Sequence, residues 1–528
     1  MLTLTSALHR ASKVFGSEPA VIDPEGEYTW AEFVDRIARA ASILQSLGVK
    51  RGERFGIISR NSFRKAEIMH AGYWMGAIPV PANHRLAPPE IAAIFEDAEC
   101  RVIAVEDHFR SVLGHQALKA WAGDPIWLVP QTTEIDGNNY ESLLATAVPA
   151  PMGAVDEDDD AVLQYTGGTT GRSKGVRLTH RNVITNALQI ASAIHPKMGD
   201  VHLHINPMFH SGDLLTTMFT LVGATHVYVP EFSGPKLFEA IQKYRISFAM
   251  LIPGMIIKAL QEADPTQYDL SSLQKIWYGG SSLSVEWILK TLDAFKNVQL
   301  VQCYGQTESA PAVTLLLPAD HAEALETGNT EILSSAGRLL PGMTINIVDA
   351  NGQDVALGQP GEIVLSGPNL SPGYVNRPEE TAAVFRDDRF YSGDIGRMDE
   401  RGYLYVLDRK VDMVVTGGEN VYSSEVEIAL SQHPDVLECA VTGVPDDTFG
   451  EALLAGIVAA PGKNPTEQEL IAHCREFIGG FKIPRRYIFL DNLPKSTLHK
   501  VLKHELSALY INALDAQTGE HLIESARE

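Results

Sequence analysis

Between Phe33 and Val105 the chain alternates three times between a helical and an extended hydrophobic rhythm, and this restricts the fold more than any other feature. Phe33, Ile37, Ala40, Leu44 and Leu47 recur at helical spacing, Gly48 follows as a stop, and Phe55-Gly56-Ile57-Ile58 is a short unbroken apolar run. The pattern then repeats. Residues 66–75 read as helix, Ile78-Pro79-Val80-Pro81 as extended, 89–98 as helix behind an N-terminal proline, and Val102-Ile103-Ala104-Val105 as a strand. Unbroken apolar strands separated by helices belong in parallel sheets covered on both faces. Residues 201–229, 248–252, 276–278 and 299–302 continue the same texture, so the expected class is α/β with doubly wound sheets.

From about 330 to 407 the texture changes to short strands and turns, among them Pro341-Gly342, Asn351-Gly352 and Gly358-Gln359-Pro360-Gly361, which predicts a β-rich subdomain. Beyond it, residues 423–432 and 466–478 read as helix, and 436–442, 453–459 and 487–490 as strands, a separate α+β unit. The expected organisation is an N-terminal domain over 1–408, a hinge at 409–411 and a small C-terminal domain over 412–528, whose last residues, 514–528, are polar and expected to fray.

Composition narrows the partners. A formal charge of −23 on 528 residues argues against nucleic acid or an anionic membrane surface, since both reward basic proteins. No apolar run is long enough for a membrane span, and the N-terminus lacks a basic segment ahead of an apolar core, so the expected location is cytoplasmic. Cys100, Cys303, Cys439 and Cys474 show neither paired nor metal-ligand spacing and are expected to be free thiols.

The chemistry begins at Tyr165-Thr166-Gly167-Gly168-Thr169-Thr170-Gly171-Arg172-Ser173-Lys174-Gly175-Val176. Glycines let backbone N–H groups converge on an anion, hydroxyls add donors, and Lys174 adds a point charge, which together make a phosphate cradle. It is not a Walker A loop, because Lys174 is preceded by Ser173 and followed by Gly175. Further along stand Tyr278-Gly279-Gly280-Ser281-Ser282-Leu283, Tyr304-Gly305-Gln306-Thr307-Glu308, Tyr391-Ser392-Gly393-Asp394, Asp408-Arg409 and Pro494-Lys495-Ser496-Thr497-Leu498-His499-Lys500. Taken singly, Glu308 reads as a capping or surface glutamate, Asp394 and Arg409 as a surface ion pair, and Lys500 as one solvated lysine in a basic stretch.

In type, order and spacing these motifs resemble the adenylate-forming superfamily of acyl-CoA synthetases, non-ribosomal adenylation domains and firefly-type luciferases, from about Tyr28 to Lys503. The resemblance implies a large N-terminal domain, a small mobile C-terminal domain and an active site between them. It implies that Thr166, Gly167, Gly168, Thr169, Thr170, Gly171 and Lys174 hold the departing phosphates of ATP, that Glu308 and Thr169 serve Mg2+, and that Thr307 meets the α-phosphate. Gly279, Gly280 and Ser281 would form the adenine turn, with Tyr304 stacking and Gly305 beside it. Asp394 would hold the ribose, and Arg409 the same sugar or a phosphate. Phe209-His210 would be a gate beside the acyl pocket, with His210 positional rather than a base. Lys500 would bridge carboxylate and α-phosphate in the first half-reaction, and rotation of the small domain would then withdraw it and bring in Gly417 and Gly418. Four positions depart from the commonest family pattern: Gly167 where serine is usual, Ser173 where proline is, His499 where glycine is, and Val411 where aspartate or lysine is.

The implied function is an ATP-dependent ligase that makes an acyl-adenylate and pyrophosphate, then an acyl-CoA and AMP. Its cofactors would be ATP, Mg2+ and coenzyme A, its partner a small carboxylic acid, and a homodimer is compatible with the reading. No carrier domain is legible after the lysine motif, so free CoA is the expected acceptor. A ligase for a separate carrier protein and a catalytically weak acyl- or adenylate-binding relative, the latter suggested by His499 and Val411, are the alternatives. Phe209, His210, Met218, Trp277, Tyr278, Cys303, Ala310 and Pro311 are the expected pocket wall, whose mostly apolar or aromatic character points to a fatty or aryl acid.

Overall fold

The computed structural model describes residues 2–135, 137–166, 173–210, 212–416, 419–446, 449–496 and 500–513. The chain divides into two compact units, one of residues 1–283, 289–345 and 365–391, the other of 284–288, 346–364 and 392–528.

The helical rhythm at the start of the chain becomes the helix Trp30–Ser46. Thr29 caps it, its hydroxyl accepting from Glu32 N while the Glu32 carboxylate accepts from Thr29 N at 2.8 Å, so two otherwise orphaned donors are satisfied reciprocally. Trp30, Phe33, Ile37 and Leu44 on its inner face are fully buried, and each such side chain is worth about 1.5–3 kcal/mol relative to exposure. The apolar run after it forms the strand Arg54–Ile58, parallel to Ile78–Pro81 on one side and to Val102–Val105 on the other. Ile126–Trp127 and Asn138–Asn139 complete this five-stranded parallel sheet.

A second sheet of nine strands runs in the order Arg338–Leu339, Thr314–Leu316, Gln299–Tyr304, Lys275–Gly279, Phe248–Leu251, Val201–His204, Thr225–Tyr228, Pro19–Asp23, Gly26–Thr29. Its central strands, from Gln299–Tyr304 to Pro19–Asp23, are all parallel, and antiparallel strands close the edges. The expected α/β class with doubly wound sheets is therefore what the chain forms. Apart from both sheets stands a two-stranded antiparallel hairpin, Asp160–Thr166 with Lys174–Thr179.

The β-rich texture after residue 330 becomes a five-stranded sheet containing Thr344–Val348, Gly361–Ser366, Arg389–Met398 and Leu404–Arg409. The last part of the second unit builds its own core, in which Val414, Val426, Leu430, Val441, Leu453, Ile457 and Leu470 pack together. These come from the helices Ser423–Ser431 and Glu467–Phe477 and a sheet dominated by the long antiparallel pair Val436–Asp446 and Gly450–Ala459. All four cysteines are free thiols. Among the described residues no helix is long and apolar enough to cross a membrane.

Candidate active site

The glycine-rich motif connects the two strands of the hairpin, with Thr166 opposite Lys174 as the last pair before the loop. A strand, not a helix, follows the lysine, so the helix-anchored geometry of a Walker A site is absent here. Gly167, Gly168, Thr169, Thr170 and Gly171 lie outside the described residues. Gly175 is required by packing: a Cβ there would stand 2.7 Å from Val375 Cγ1 and 2.8 Å from Tyr165 Cζ. That close approach seats the segment 373–375 along the hairpin, through Arg177 N to Gly373 O at 3.0 Å and Val375 N to Gly175 O at 2.8 Å.

Tyr374, carried on this segment, joins two motifs that are far apart in sequence. Its ring lies 5.2 Å from Lys174 Nζ, and its Oη donates to Glu308 Oε1 at 2.8 Å. Burial first, and then the Glu308 carboxylate, push the phenol far above its ordinary pKa, so it remains a donor. Glu308 is buried in the short turn Thr307–Ser309, and Ser371 N donates to its carbonyl at 2.8 Å. Asn186 and Asn369 hold the following residues, with Asn369 Nδ2 donating to Ser309 O at 2.7 Å and Asn186 Nδ2 to Ala312 O at 2.7 Å. One hydrogen bond uses only part of a carboxylate's acceptor capacity, and an oxygen donor of this kind suits Mg2+, which keeps waters and binds substrate phosphates alongside one or two carboxylates.

The base-binding candidates meet at the carboxyl ends of neighbouring parallel strands. Gly279 ends Lys275–Gly279 and pairs with Cys303, one residue before Tyr304 ends Gln299–Tyr304. The carboxyl ends of strands in such sheets are where ligands bind. Gly280 has φ +81 and Ser281 is exposed beside it. Two of the glycines have a packing reason as well: a Cβ on Gly305 would stand 1.9 Å from Pro311 O, and one on Gly279 2.5 Å from Cys303 O.

His210 is tied to the hairpin, since Gln164 Nε2 donates to its carbonyl at 3.1 Å. Asn61 holds the loop before it, donating to Asn206 O at 2.7 Å and accepting from Met208 N at 2.9 Å. Phe209 packs edge-on to His84 at 5.1 Å and lies 5.7 Å from the Nζ of Lys65, a fully buried lysine whose pKa burial pushes down to about 7. The expected pocket wall is not one surface. Met218, Trp277 and Cys303 pack into a shared core with Phe219 and Phe248, whereas Tyr278, on the opposite face of its strand, is bonded through Oη to His321 Nε2 at 2.9 Å.

In the second unit, Asp394 and Arg409 are register partners and form an ion pair at 2.7 Å, so one carboxylate oxygen is already engaged. Gly417 and Gly418 lie outside the described residues, as does His499. Lys500 is exposed, and the backbone on its two sides is joined: Lys495 bridges Val501, Ser496 N donates to Lys500 O at 2.7 Å and Leu502 N to Pro494 O at 2.9 Å. The structure thus gathers Lys174, Thr166, Glu308 and Thr307 with Tyr374 in the first unit, and pairs Asp394 with Arg409 in the second, the unit that also carries Lys500. Among the described residues no group of three or more His, Cys, Asp or Glu could hold a metal.

Comparison with known proteins shows the family. Residues 8–375 match the family model of the AMP-binding enzyme, and residues 425–500 that of the AMP-binding enzyme C-terminal domain. A feruloyl-CoA synthase of Amycolatopsis sp is 34% identical over 481 residues, 90% of this chain and 93% of the relative. The long-chain-fatty-acid–CoA ligase FadD13 of Mycobacterium tuberculosis is 33% identical over 494 residues, covering 93% and 95%. Among solved structures, the amide bond synthetase McbA of Marinactinospora thermotolerans superposes with a TM-score of 0.87 at 27% identity, covering 96% of this chain and 99% of that one. With both domain models matched in order and the motif residues gathered as described, this chain belongs to the AMP-binding enzymes of the adenylate-forming superfamily, with the acyl-CoA synthetases.

Proposed function

We propose that this ligase activates an apolar monocarboxylic acid, fatty or aryl, with ATP and Mg2+ and passes the acyl group to free coenzyme A. In the first step a carboxylate oxygen attacks the α-phosphorus, the bond to the β-phosphoryl bridging oxygen breaks, and pyrophosphate leaves. In the second, the CoA sulfur attacks the acyl carbonyl carbon and AMP leaves with the electron pair of the broken mixed-anhydride bond. A carboxylate is already ionised at neutral pH and needs no base, so the protein's work is alignment and charge stabilisation.

The observation that carries this reading is the line Lys174, Tyr374, Glu308 beside the hairpin loop. Lys174 faces the departing phosphates, Glu308 holds Mg2+ with Thr169, and Tyr374 fixes the carboxylate's orientation while staying protonated. Mg2+, when bound, neutralises charge on the polyphosphate. Thr307 and Lys500 serve the α-phosphate, Lys500 during adenylation alone. Gly279 to Ser281 and Tyr304 take the adenine, Asp394 and Arg409 the ribose, and Phe209 with His210 gates the acyl side. The lid begins at a hinge over 409–411. Four free thiols fit the reducing cytoplasm.

The acids that these relatives are named for, ferulic acid and long-chain fatty acids, are both largely apolar, which supports the same class here. The test is a panel of short, medium, long-chain and aromatic acids with Mg-ATP, scored by pyrophosphate release and by mass of the thioester when CoA is present. Acid-dependent release with a CoA-dependent thioester from an apolar acid is expected. Release only with a dicarboxylate or amino acid would overturn the substrate class, and a thioester formed only on an added carrier protein would overturn the acceptor.

A further inference from the structure

Lys503 lies three residues beyond Lys500 and, unlike it, is largely buried. Its Nζ donates to Ser423 Oγ and lies 3.0 Å from Glu427 Oε1, which also accepts from Val441 N at 2.8 Å. Ser423 is fully buried at the start of its helix and donates twice to Asp408 Oδ2, from N at 2.5 Å and from Oγ at 2.7 Å. The other oxygen of Asp408 accepts from Arg409 N at 2.8 Å, and the Arg409 side chain pairs with Asp394 at 2.7 Å. Burial alone would lower the Lys503 pKa, but Glu427 and Asp408 outweigh it and raise the value, so the ammonium is charged. A continuous polar chain therefore runs from the foot of the lysine loop to the ribose candidates, entirely within the second unit. A buried charge is expensive unless paired, so removing one member leaves the others uncompensated.

We infer that Lys503 is a positioning residue for Lys500: through Ser423 it ties the lysine-bearing loop to Asp408 and by that route to the Arg409–Asp394 pair. An exposed lysine on a short loop can aim its ammonium only if the backbone beneath it is fixed, and misplacement by about 1 Å can cost about a hundredfold in rate. The backbone bonds between residues 494–496 and 500–502 join the two arms beside Lys500, but Lys503 gives them a fixed place relative to strand Leu404–Arg409.

This rests on the reading of Lys500 as the adenylation lysine, and the experiment separates the two. Lys503→Met, Lys503→Arg, Ser423→Ala and Lys500→Ala are compared in acid-dependent ATP–pyrophosphate exchange and, separately, in thioester formation from supplied acyl-adenylate and CoA. Lys503→Met is expected to slow exchange by about tenfold to a hundredfold while leaving thioester formation unchanged, with Lys503→Arg recovering most of the loss. Ser423→Ala slows exchange in the same selective way, and carries the test if Lys503→Met does not fold. Exchange intact in the Lys503 and Ser423 variants but lost in Lys500→Ala would overturn this inference alone. Equal loss in both half-reactions would reduce Lys503 to a stability role and overturn it too, and exchange retained in Lys500→Ala would overturn the reading beneath it.

Discussion

Lys174 and Lys500 both follow motif segments read as phosphate-facing, yet the molecule holds the two lysines in opposite ways. Lys174 begins a strand whose register is fixed residue by residue against Asp160–Thr166, with the segment 373–375 seated on the other side. Lys500 belongs to no long strand pair: a single bridge from Lys495 to Val501 and local bonds between residues 494–496 and 500–502 hold it, and its place relative to the rest of the fold depends on side-chain contacts such as the Lys503 network. A lysine set by strand pairing stays where it is when a neighbour is lost. One set by a few ionic contacts can be displaced by a single change, which suits a group needed in only one of two half-reactions.

The largest expected effect is that of Lys500→Ala, which lowers the adenylation rate by about a thousandfold or more, as for loss of a charged donor to the transition state, measured by acid-dependent pyrophosphate exchange. An effect confined to the thioester step would break the contrast between the two lysines.

Acid is expected to act next most strongly, and unequally on the two units. His84, His180, His202, His204, His226 and His321, all in the first unit, have pKa values lowered chiefly by burial, with His180 near 4 and His226 near 3 against an ordinary 6.5. Among the described residues, His180 Nε2, His202 Nδ1, His204 Nδ1 and His226 Nε2 have no protein partner to receive a proton. Because the unfolded chain takes up protons first, stability is complete above about pH 6.5 and falls as pH drops toward 4 and 3. Between pH 7 and pH 5 the loss is about 2 kcal/mol for each of His180 and His226. Hydrogen exchange at the two pH values should show the first unit opening at pH 5 while the core around Val441 and Leu453 stays protected. Simultaneous opening would refute the unequal response.

Lys174→Met is expected to cost about tenfold to a hundredfold in kcat/KM for ATP with an unchanged fold, measured by initial-rate kinetics and thermal melting. Tyr374→Phe should have the smallest effect, about fivefold, and should raise the Mg2+ concentration needed for half-maximal rate because the Glu308 carboxylate loses its orienting donor. An unaltered Mg2+ requirement would detach Glu308 from the metal.

Much of the fold was legible because it depends on local periodicity. The helices and strands between Trp30 and Val105, and those from Ser423 to Phe489, follow from hydrophobic rhythm and end signals that neighbouring residues carry. The motif residues drew attention in the sequence because glycine, hydroxyl, lysine and carboxylate are the types that phosphate and Mg2+ chemistry, the roles proposed for them, demand. Tyr374 was not, since its partners are Lys174 and Glu308, and nothing local distinguishes one tyrosine after a Pro-Gly turn. Lys503 was hidden for the opposite reason, as one cation in a basic stretch whose burial only packing reveals. The pocket wall failed where strand alternation was ignored, because Trp277 and Tyr278 are neighbours in sequence and face opposite sides of the sheet.

The central claim is that this chain makes an acyl-adenylate at the α-phosphate, and it is tested most directly by ATP labelled in that phosphate, given with an apolar acid and Mg2+ but no CoA. The account predicts a labelled acyl-adenylate retained by the protein in about one-to-one amount, dischargeable by CoA to labelled AMP and thioester. Labelled ADP, or AMP that appears without acid, would contradict it.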